Sequence, residues 1–166
     1  MKTVTSSGTA TVTTPTDEQI LITRDFDAPR RLVYMAWTAP ELVRRWWSGH
    51  RGAMTIVEID LRVGGMWRYV MEATGGFEVA FHGHYRELVP NERIVTTEVY
   101  EAMPDGEPAL DTVTFTEADG RTTVELLMQL PSKEVRDMVL ASGMEVGMQE
   151  QMDLLEQIAI SLQEPS

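Results

Sequence analysis

Cysteine is absent from the 166-residue chain, so neither a disulfide framework nor thiol chemistry is available to it. No apolar run approaches the roughly 20 residues that a membrane-spanning helix requires. The first residues also lack the apolar segment of a signal peptide. These absences predict a cytoplasmic protein that has no membrane partner.

Positive charge is scarce, because 14 lysines and arginines stand against 26 aspartates and glutamates, for a formal net charge of −12. Such a surface repels a phosphate backbone, so we expect no nucleic-acid partner. Gly64-Gly65 is better explained as a strand turn than as a phosphate-binding loop. Ser48 lacks the surrounding sequence of a hydrolase nucleophile elbow. Phosphoryl transfer and serine hydrolysis are therefore disfavoured.

Length and composition favour one domain with a real core, since 43% of the residues are hydrophobic. Residues 1–19 are rich in Thr and Ser and contain almost no apolar side chains. Such a segment buries too little surface to offset the entropy lost on ordering. The sequence thus predicts a disordered tail over 1–19 and a single domain over 20–163.

After residue 19 the hydrophobic pattern alternates between strand-like and helix-like periods. A first strand is predicted over 20–26, followed by short helices over 30–38 and 41–47, with Asp27 as a candidate cap and Pro29 in the first turn. Turn signals of Gly, Pro, Asn and Asp separate six further predicted strands, at 54–61, 66–73, 77–88, 93–100, 111–116 and 122–130. The short connections between them predict antiparallel pairing.

The last stretch, 132–162, predicts one long helix with Ser132 as its N-cap. Its apolar residues recur at spacings of four and three and so share one face: Met144, Met148, Met152, Leu155, Ala159 and Leu162. Gly143 and Gly147 inside it indicate a bend or a close backbone approach. The predicted fold class is α+β, a curved antiparallel sheet of seven strands with this helix laid across it.

Four motifs in this order resemble those of one family. They are ITRDFDAPRRLVYMAWTAPELVRRWW at 22–47, DLRVGGMWR at 60–68, FHGHYRE at 81–87 with Pro90, and SGMEVGM at 142–148. The chain resembles the START-like (SRPBCC) superfamily and, within it, the family named after the activator of the heat-shock protein 90 ATPase. The resemblance covers about 20–162 and implies a helix-grip fold, whose sheet surrounds the C-terminal helix and leaves a cavity between them. Superfamily members bind lipids, polyketides and other apolar molecules there, and some are cyclases or related enzymes.

The predicted cavity lining consists of aromatic and methionine side chains, because ligand cavities are mostly apolar with a few polar anchors and methionine adapts to varied shapes. A completely filled core is the alternative. The candidate ligand-binding residues are Trp37, Trp46, Trp47, Trp67, Tyr69, Met71, Phe81, Tyr85, Glu98, Phe115, Met128, Met144, Met148 and Met152.

Glu98 is the polar candidate in this set, and its strand alternates ambiguously, so that either of its faces could point inward. A carboxyl group facing an apolar cavity has its pKa raised by desolvation and becomes a candidate general acid or base. The alternative for Glu98 is an ion pair at the rim.

His82 and His84 have a spacing that suits metal binding. Alternation, however, places them on the strand face opposite to Phe81 and Tyr85, and a third ligand is not evident. We therefore expect neither a metal nor a cofactor.

Three functions remain open at this point. The first is a binding module without catalytic residues, whose partner is a small apolar or amphipathic molecule covered by the long helix. The second is a cavity enzyme such as a polyketide cyclase or lyase. The third is a co-chaperone-like interaction module, which requires an exposed apolar patch. The edge strands of the sheet leave a homodimer open.

Overall fold

The computed structural model describes residues 2–5 and 10–163, which form one antiparallel sheet with helices packed on one face. The strands in this part of the chain are β1 (Lys2–Thr5), β2 (Thr11–Thr14), β3 (Gln19–Phe26), β4 (Gly52–Ile59), β5 (Met66–Ala73), β6 (Glu78–Val89), β7 (Arg93–Tyr100), β8 (Ala109–Ala118) and β9 (Arg121–Gln129). The helices are α1 (Arg30–Thr38), α2 (Pro40–Val43), α3 (Lys133–Ala141) and α4 (Met144–Ser161). The strand order is β1-β2-β3-β9-β8-β7-β6-β5-β4. The predicted α+β class is confirmed, with nine strands in the described residues in place of seven.

The two additional strands come from the N-terminal segment. Strand β2 pairs with β3 in a register that sets Val12 opposite Ile22, and Ala10 and Val12 are completely buried. The Gln149 amide completes the connection, since its Oε1 accepts from the Ala10 N–H at 3.1 Å and its Nε2 donates to the Ala10 carbonyl at 2.9 Å. Residues 10–14 therefore differ from the disordered tail predicted over 1–19, because the sheet and α4 supply partners for their backbone. Residues 1 and 6–9 lie outside the described residues.

The helix predicted over 132–162 is divided into α3 and α4. The Ser132 Oγ caps α3 as predicted, accepting a hydrogen bond from the Val135 N–H at 3.1 Å. Gly143 then adopts φ 81°, in the left-handed region that glycine enters without a steric penalty, and α4 begins at the next residue. The predicted apolar stripe is buried at Met148, Met152, Leu155 and Ala159 and half-buried at Met144 and Leu162.

Two further predictions about helix ends are wrong. The N-cap position of α1 is Pro29 rather than Asp27, and this residue makes no capping hydrogen bond through its side chain. The Arg30 N–H instead donates to Glu117 Oε1 at 2.7 Å. The second helix ends at Val43, and turns replace the helix predicted as far as residue 47. None of the helices in the described ranges is long and apolar enough to cross a membrane.

The register of the strands resolves which side chains face the helices. Directly paired residues share a face of an antiparallel sheet. One row of such pairs crosses from β6 to β3 through Tyr85, Thr96, Asp111, Met128 and Ile20. We call the face that carries this row the inner face, because Tyr85 and Ile20 belong to the same core cluster as Met148 and Met152 of α4. On β7, the inner face therefore carries Thr96 and, by alternation, Glu98.

Candidate functional site

Aromatic side chains pack together on the inner face of β5 and β6. The ring centroids of Trp47 lie 5.4 Å from Tyr69 and 5.5 Å from Phe81, both in edge-to-face arrangements. Trp67 lies 4.8 Å from Tyr69, and Phe81 stacks on Tyr100 at 5.0 Å. Such contacts stabilise by about 0.5–1.5 kcal/mol each beyond their buried area. We call Trp47, Trp67, Tyr69 and Phe81 the aromatic group.

Gly83 makes room for Trp67 in this group. The Trp67 Nε1 donates to the Thr97 carbonyl at 3.2 Å, across the position of Gly83 in the intervening strand. A Cβ atom at residue 83 would lie 1.8 Å from the Thr97 oxygen and 2.7 Å from the Trp67 Nε1. Only glycine allows this approach, which accounts for the glycine within the FHGHYRE segment.

Trp47 reaches the sheet from the turns that follow α2, and α4 holds these turns in place. Arg51 donates from Nη2 to the Gly143 carbonyl at 2.9 Å, and a Cβ on Gly147 would lie 2.8 Å from the Arg51 guanidinium carbon. The Gln151 Nε2 donates to the Trp47 carbonyl. Gly143 thus connects α3 to α4, and Gly147 leaves room for the guanidinium group of Arg51.

A pair of carboxyl groups lies next to the aromatic group on the inner face. Glu98 pairs with Ala109 and Thr96 pairs with Asp111, so Glu98 and Asp111 are diagonal neighbours on adjacent strands. The two carboxyl groups are close enough to interact. The Asp111 Oδ1 is buried and, within the described part of the chain, has no hydrogen-bond partner.

Burial governs the electrostatics of this pair and of the tyrosines beside it. Desolvation raises the pKa of Asp111 well above its usual range, and the charge and hydrogen bond of Glu98 raise it further. Desolvation likewise raises the pKa of Tyr69, with smaller contributions from the charges of Tyr85 and Glu98. Burial is also the main reason why the pKa of Tyr85 is raised. The Asp111 carboxyl group therefore releases its proton less readily than a solvent-exposed aspartate does.

The opposite face of the sheet carries a separate charged network. Arg68 binds the Glu101 carboxylate in a bidentate manner, because its Nε and Nη2 each donate a hydrogen bond at 2.9 Å. The His82 Nδ1 lies 2.9 Å from the same carboxylate. The Arg68 hydrogen bond is the main cause that lowers the pKa of Glu101 to about 2, against an opposing effect of desolvation and with help from His82. The structure therefore assigns Arg68 and His82 to an ion-pair network. In the described ranges, no three His, Cys, Asp or Glu side chains come together as a metal site.

The structure divides the fourteen predicted ligand-binding residues between different surroundings. Eight are buried: Trp46, Trp67, Tyr69, Met71, Tyr85, Phe115, Met148 and Met152. Six are half-buried: Trp37, Trp47, Phe81, Glu98, Met128 and Met144. The aromatic group brings four of these side chains together.

A second aromatic cluster lies at α1, apart from the aromatic group. Trp37 packs on Trp46 at 5.4 Å and on Phe115 at 5.8 Å, and Tyr34 meets Phe115 at 5.5 Å. The Trp46 Nε1 donates to the Ala36 carbonyl at 2.8 Å. These contacts join α1 to β8, so this cluster supports the fold.

Asp111 is the inner-face residue that sequence reasoning missed. The signal was present, because Asp111 shares its period of two with Val113 and Phe115, both predicted to face inward and both buried. Its partner Glu98, left ambiguous by the sequence, is on the inner face.

The two described surface grooves, each of about 530 Å³, lie away from this pair. The first is lined by Arg30, Val89, Glu92, Arg93, Thr114, Phe115, Thr116 and Glu117. The second is lined by Arg24, Asp25, Asp27, Arg121, Glu156 and Ile160. Between the inner face and α4, side chains from both surfaces instead pack in one hydrophobic cluster.

Solved structures from several bacteria resemble the chain. A protein from Rhodobacter sphaeroides has a TM-score of 0.85 at 24% identity, covering 93% of this chain and 99% of that one. One from Nitrosomonas europaea has a TM-score of 0.81 at 19% identity, covering 90% and 98%. One from Chromobacterium violaceum has a TM-score of 0.76 at 25% identity, covering 91% and 100%. These likenesses show the helix-grip fold.

Sequence comparison identifies a family over most of the chain. The family described as Activator of Hsp90 ATPase homolog 1-like protein matches residues 27–159. No curated protein matches the chain significantly.

Proposed function

Because the chain belongs to the family of Activator of Hsp90 ATPase homolog 1-like proteins, whose wider fold family commonly binds hydrophobic ligands, we propose that it binds a small apolar or amphipathic molecule between the inner face and α4. The observation that carries this proposal is the aromatic group with the Glu98–Asp111 pair beside it. Ligand sites combine an apolar, aromatic lining with a few convergent polar groups. The inner face offers both kinds of group.

A ligand in this position displaces side chains that fill the space between the inner face and α4. Met148 and Met152 are buried there, and Met144 is half-buried. Methionine is unbranched and has three rotatable bonds, so it rearranges around an incoming molecule more readily than a branched side chain does. The methionine stripe of α4 therefore supports a surface that adapts to its ligand.

Helix α3 provides the route of entry in this proposal. This helix, described over its whole length, buries none of its residues completely, and Gly143 joins it to α4. Elements with few buried apolar contacts open at low cost in free energy. Opening α3 at the glycine exposes the inner face while α4 stays fixed by its buried residues.

Native mass spectrometry of the freshly purified protein and titration with an apolar fluorescent dye test the proposal. We expect dye binding that Met148→Trp weakens by filling the space, and that Tyr69→Ala alters by removing a ring of the aromatic group. Met66→Trp is the matched control, because Met66 is exposed on the other face of β5. Dye binding that neither Met148→Trp nor Tyr69→Ala changes contradicts the proposal.

An acid–base enzyme is the second candidate, favoured by one observation. Desolvation and the neighbouring Glu98 raise the pKa of Asp111, and two adjacent carboxyl groups whose pKa values differ can donate and accept protons in turn. The test is to incubate any molecule released from the purified protein with fresh protein and to follow its mass. Conversion that persists in Asp111→Asn contradicts this role.

A further inference from the structure

The Glu98–Asp111 pair bears on the kind of head group that the ligand carries. We propose, resting on the function proposed above, that the ligand is an amphiphile with a protonated amine, and that this amine lies between the carboxyl groups of Glu98 and Asp111. The apolar part then lies against the aromatic group.

The pair has an acceptor atom in need of a donor. The Asp111 Oδ1 is buried and has no partner in the described residues. An unsatisfied buried polar atom destabilises the folded state, so a fold retains one where something else supplies the missing bond. An alkylammonium group carries three N–H donors and no acceptor, which suits two carboxyl groups that present acceptor oxygens together.

The charge of the pair also lacks compensation from the protein. The two carboxyl groups bring negative charge to the inner face when they ionise. Across the described ranges, the salt bridges involve other acidic residues, and none includes Glu98 or Asp111. A buried charge is costly unless it is paired. One ammonium group would neutralise the pair and add charge-assisted hydrogen bonds, which are about twice as strong as neutral ones.

The neighbouring rings favour a cation as well. Tyr69 is close enough to Glu98 to interact with its charge, and Trp67 packs on Tyr69 at 4.8 Å between centroids. His82 pairs with Val99, so Gly83, the next residue on β6, lies beside Glu98 on β7. The Trp67 side chain passes over the backbone of Gly83. Aromatic faces attract ammonium groups, and tryptophan does so best. A fatty acid or a phosphate head group would instead meet the negative charge of two acids that no cation pairs with in the part of the chain that the structure describes.

Three probes with the same alkyl chain separate the contributions of head group and tail: n-decylamine, n-decanol and decanoate. Binding is measured at neutral pH by tryptophan fluorescence, since Trp47 and Trp67 belong to the aromatic group. We expect decylamine to bind at least about tenfold more tightly than decanol, and decanoate more weakly than either. In the Glu98→Gln and Asp111→Asn variants, the affinity for decylamine should exceed the affinity for decanol by less than about threefold. Decanol should still bind to both variants.

A control is needed because an acidic protein attracts amines to its surface without specificity. Glu125→Gln removes the same charge from an exposed position on the other face of β9 and should leave the preference for decylamine unchanged. Equal affinity for the three probes, a preference for decanoate, or unchanged amine binding in both variants overturns this inference and leaves the proposed function standing. Failure of all three probes to bind overturns both proposals.

Discussion

Asp111 shows at the scale of a single residue how a site is kept at the expense of stability. Its carboxyl group is buried on the inner face, one of its oxygens lacks a partner among the described residues, and Glu98 adds a second acid beside it. A side chain selected only for folding would be apolar here, as its neighbours Val113 and Met128 are. The proposed ligand would give this polar group a use outside folding.

Replacing this carboxyl group should change how stability depends on pH. The pKa of Asp111 in the folded state is raised above the unfolded value near 3.8, so the folded state binds the proton more tightly. Its contribution to stability is complete below pH 3.8 and is lost as the pH rises toward the folded-state pKa. Asp111→Asn should flatten this decline and stabilise the protein at neutral pH by on the order of 1 kcal/mol.

Urea unfolding followed by tryptophan fluorescence, at a series of pH values from about 4 to 8, measures this effect. Asp105→Asn is the control, because Asp105 is exposed in the loop between β7 and β8. A parallel pH dependence of Asp111→Asn and the unmodified protein would show that the Asp111 carboxyl group is not desolvated.

Helix α4 is the element on which the distant parts of the chain converge. Arg24, buried in β3, donates to the Met152 carbonyl at 3.0 Å and to the Asp153 and Glu156 carboxylates at 2.8 and 3.2 Å. Gln149 pairs with both backbone groups of Ala10, as described above. These polar contacts complement the buried apolar stripe, because they hold α4 at a defined position along the sheet.

Removing the Gln149 amide should release the N-terminal strand from α4. Gln149→Ala leaves the buried N–H and carbonyl of Ala10 without their partner, so we expect a loss of about 2 kcal/mol in free energy of unfolding. Amide hydrogen exchange over residues 10–14 should accelerate more than in the rest of the sheet. Gln157→Ala, at an exposed position of the same helix, is the matched control. Equal effects of the two substitutions would contradict the role given to Gln149.

At the scale of the whole molecule, the excess of acidic residues opposes compactness. The formal net charge is −12, and several of the ion pairs, including Arg62–Asp60 and Arg93–Glu87, are solvent-exposed. Exposed pairs contribute about 0–1 kcal/mol each. Repulsion between like charges therefore outweighs the attraction within these pairs, and salt screens both.

Added salt should accordingly stabilise the protein. We expect the thermal unfolding midpoint to rise by a few degrees between low ionic strength and about 0.5 M NaCl, because screening relieves the repulsion of the folded state. Differential scanning calorimetry at several NaCl concentrations measures the change. A falling midpoint would mean that attractive networks such as Arg68–Glu101 outweigh the net repulsion.

Most of the fold could be predicted from the sequence because periodicity and turn residues report local backbone geometry. The bounds predicted for the strands at 66–73 and 93–100 and for the helix at 30–38 coincide with those of β5, β7 and α1. The family motifs predicted the helix-grip arrangement. The strand β2 could not be predicted, because its two buried residues, Ala10 and Val12, carry too weak a signal without the partners that bury them.

The candidate site was predictable only in part. The sequence named every member of the aromatic group and Glu98, because strand and helix periods identify apolar faces and the residues near them. It did not group them, and it left out Asp111. The predicted aromatic residues form two separate clusters in the structure, the aromatic group and the cluster of Trp37, Trp46 and Phe115. They separate because α1 and the turns after α2 pack on different parts of the sheet.

The sequence by itself determined the class of fold, the positions of most strands, and the amphipathic stripe of the last helix, since each depends on spacing along the chain. Tertiary structure decided that Glu98 meets Asp111, and that Ala10 meets Gln149 at a separation of 139 residues. The physical reason is that burial and shifted pKa values depend on which distant segments come into contact. Spacing along one strand determines the face of a residue relative to its neighbours, and only packing determines what that face meets.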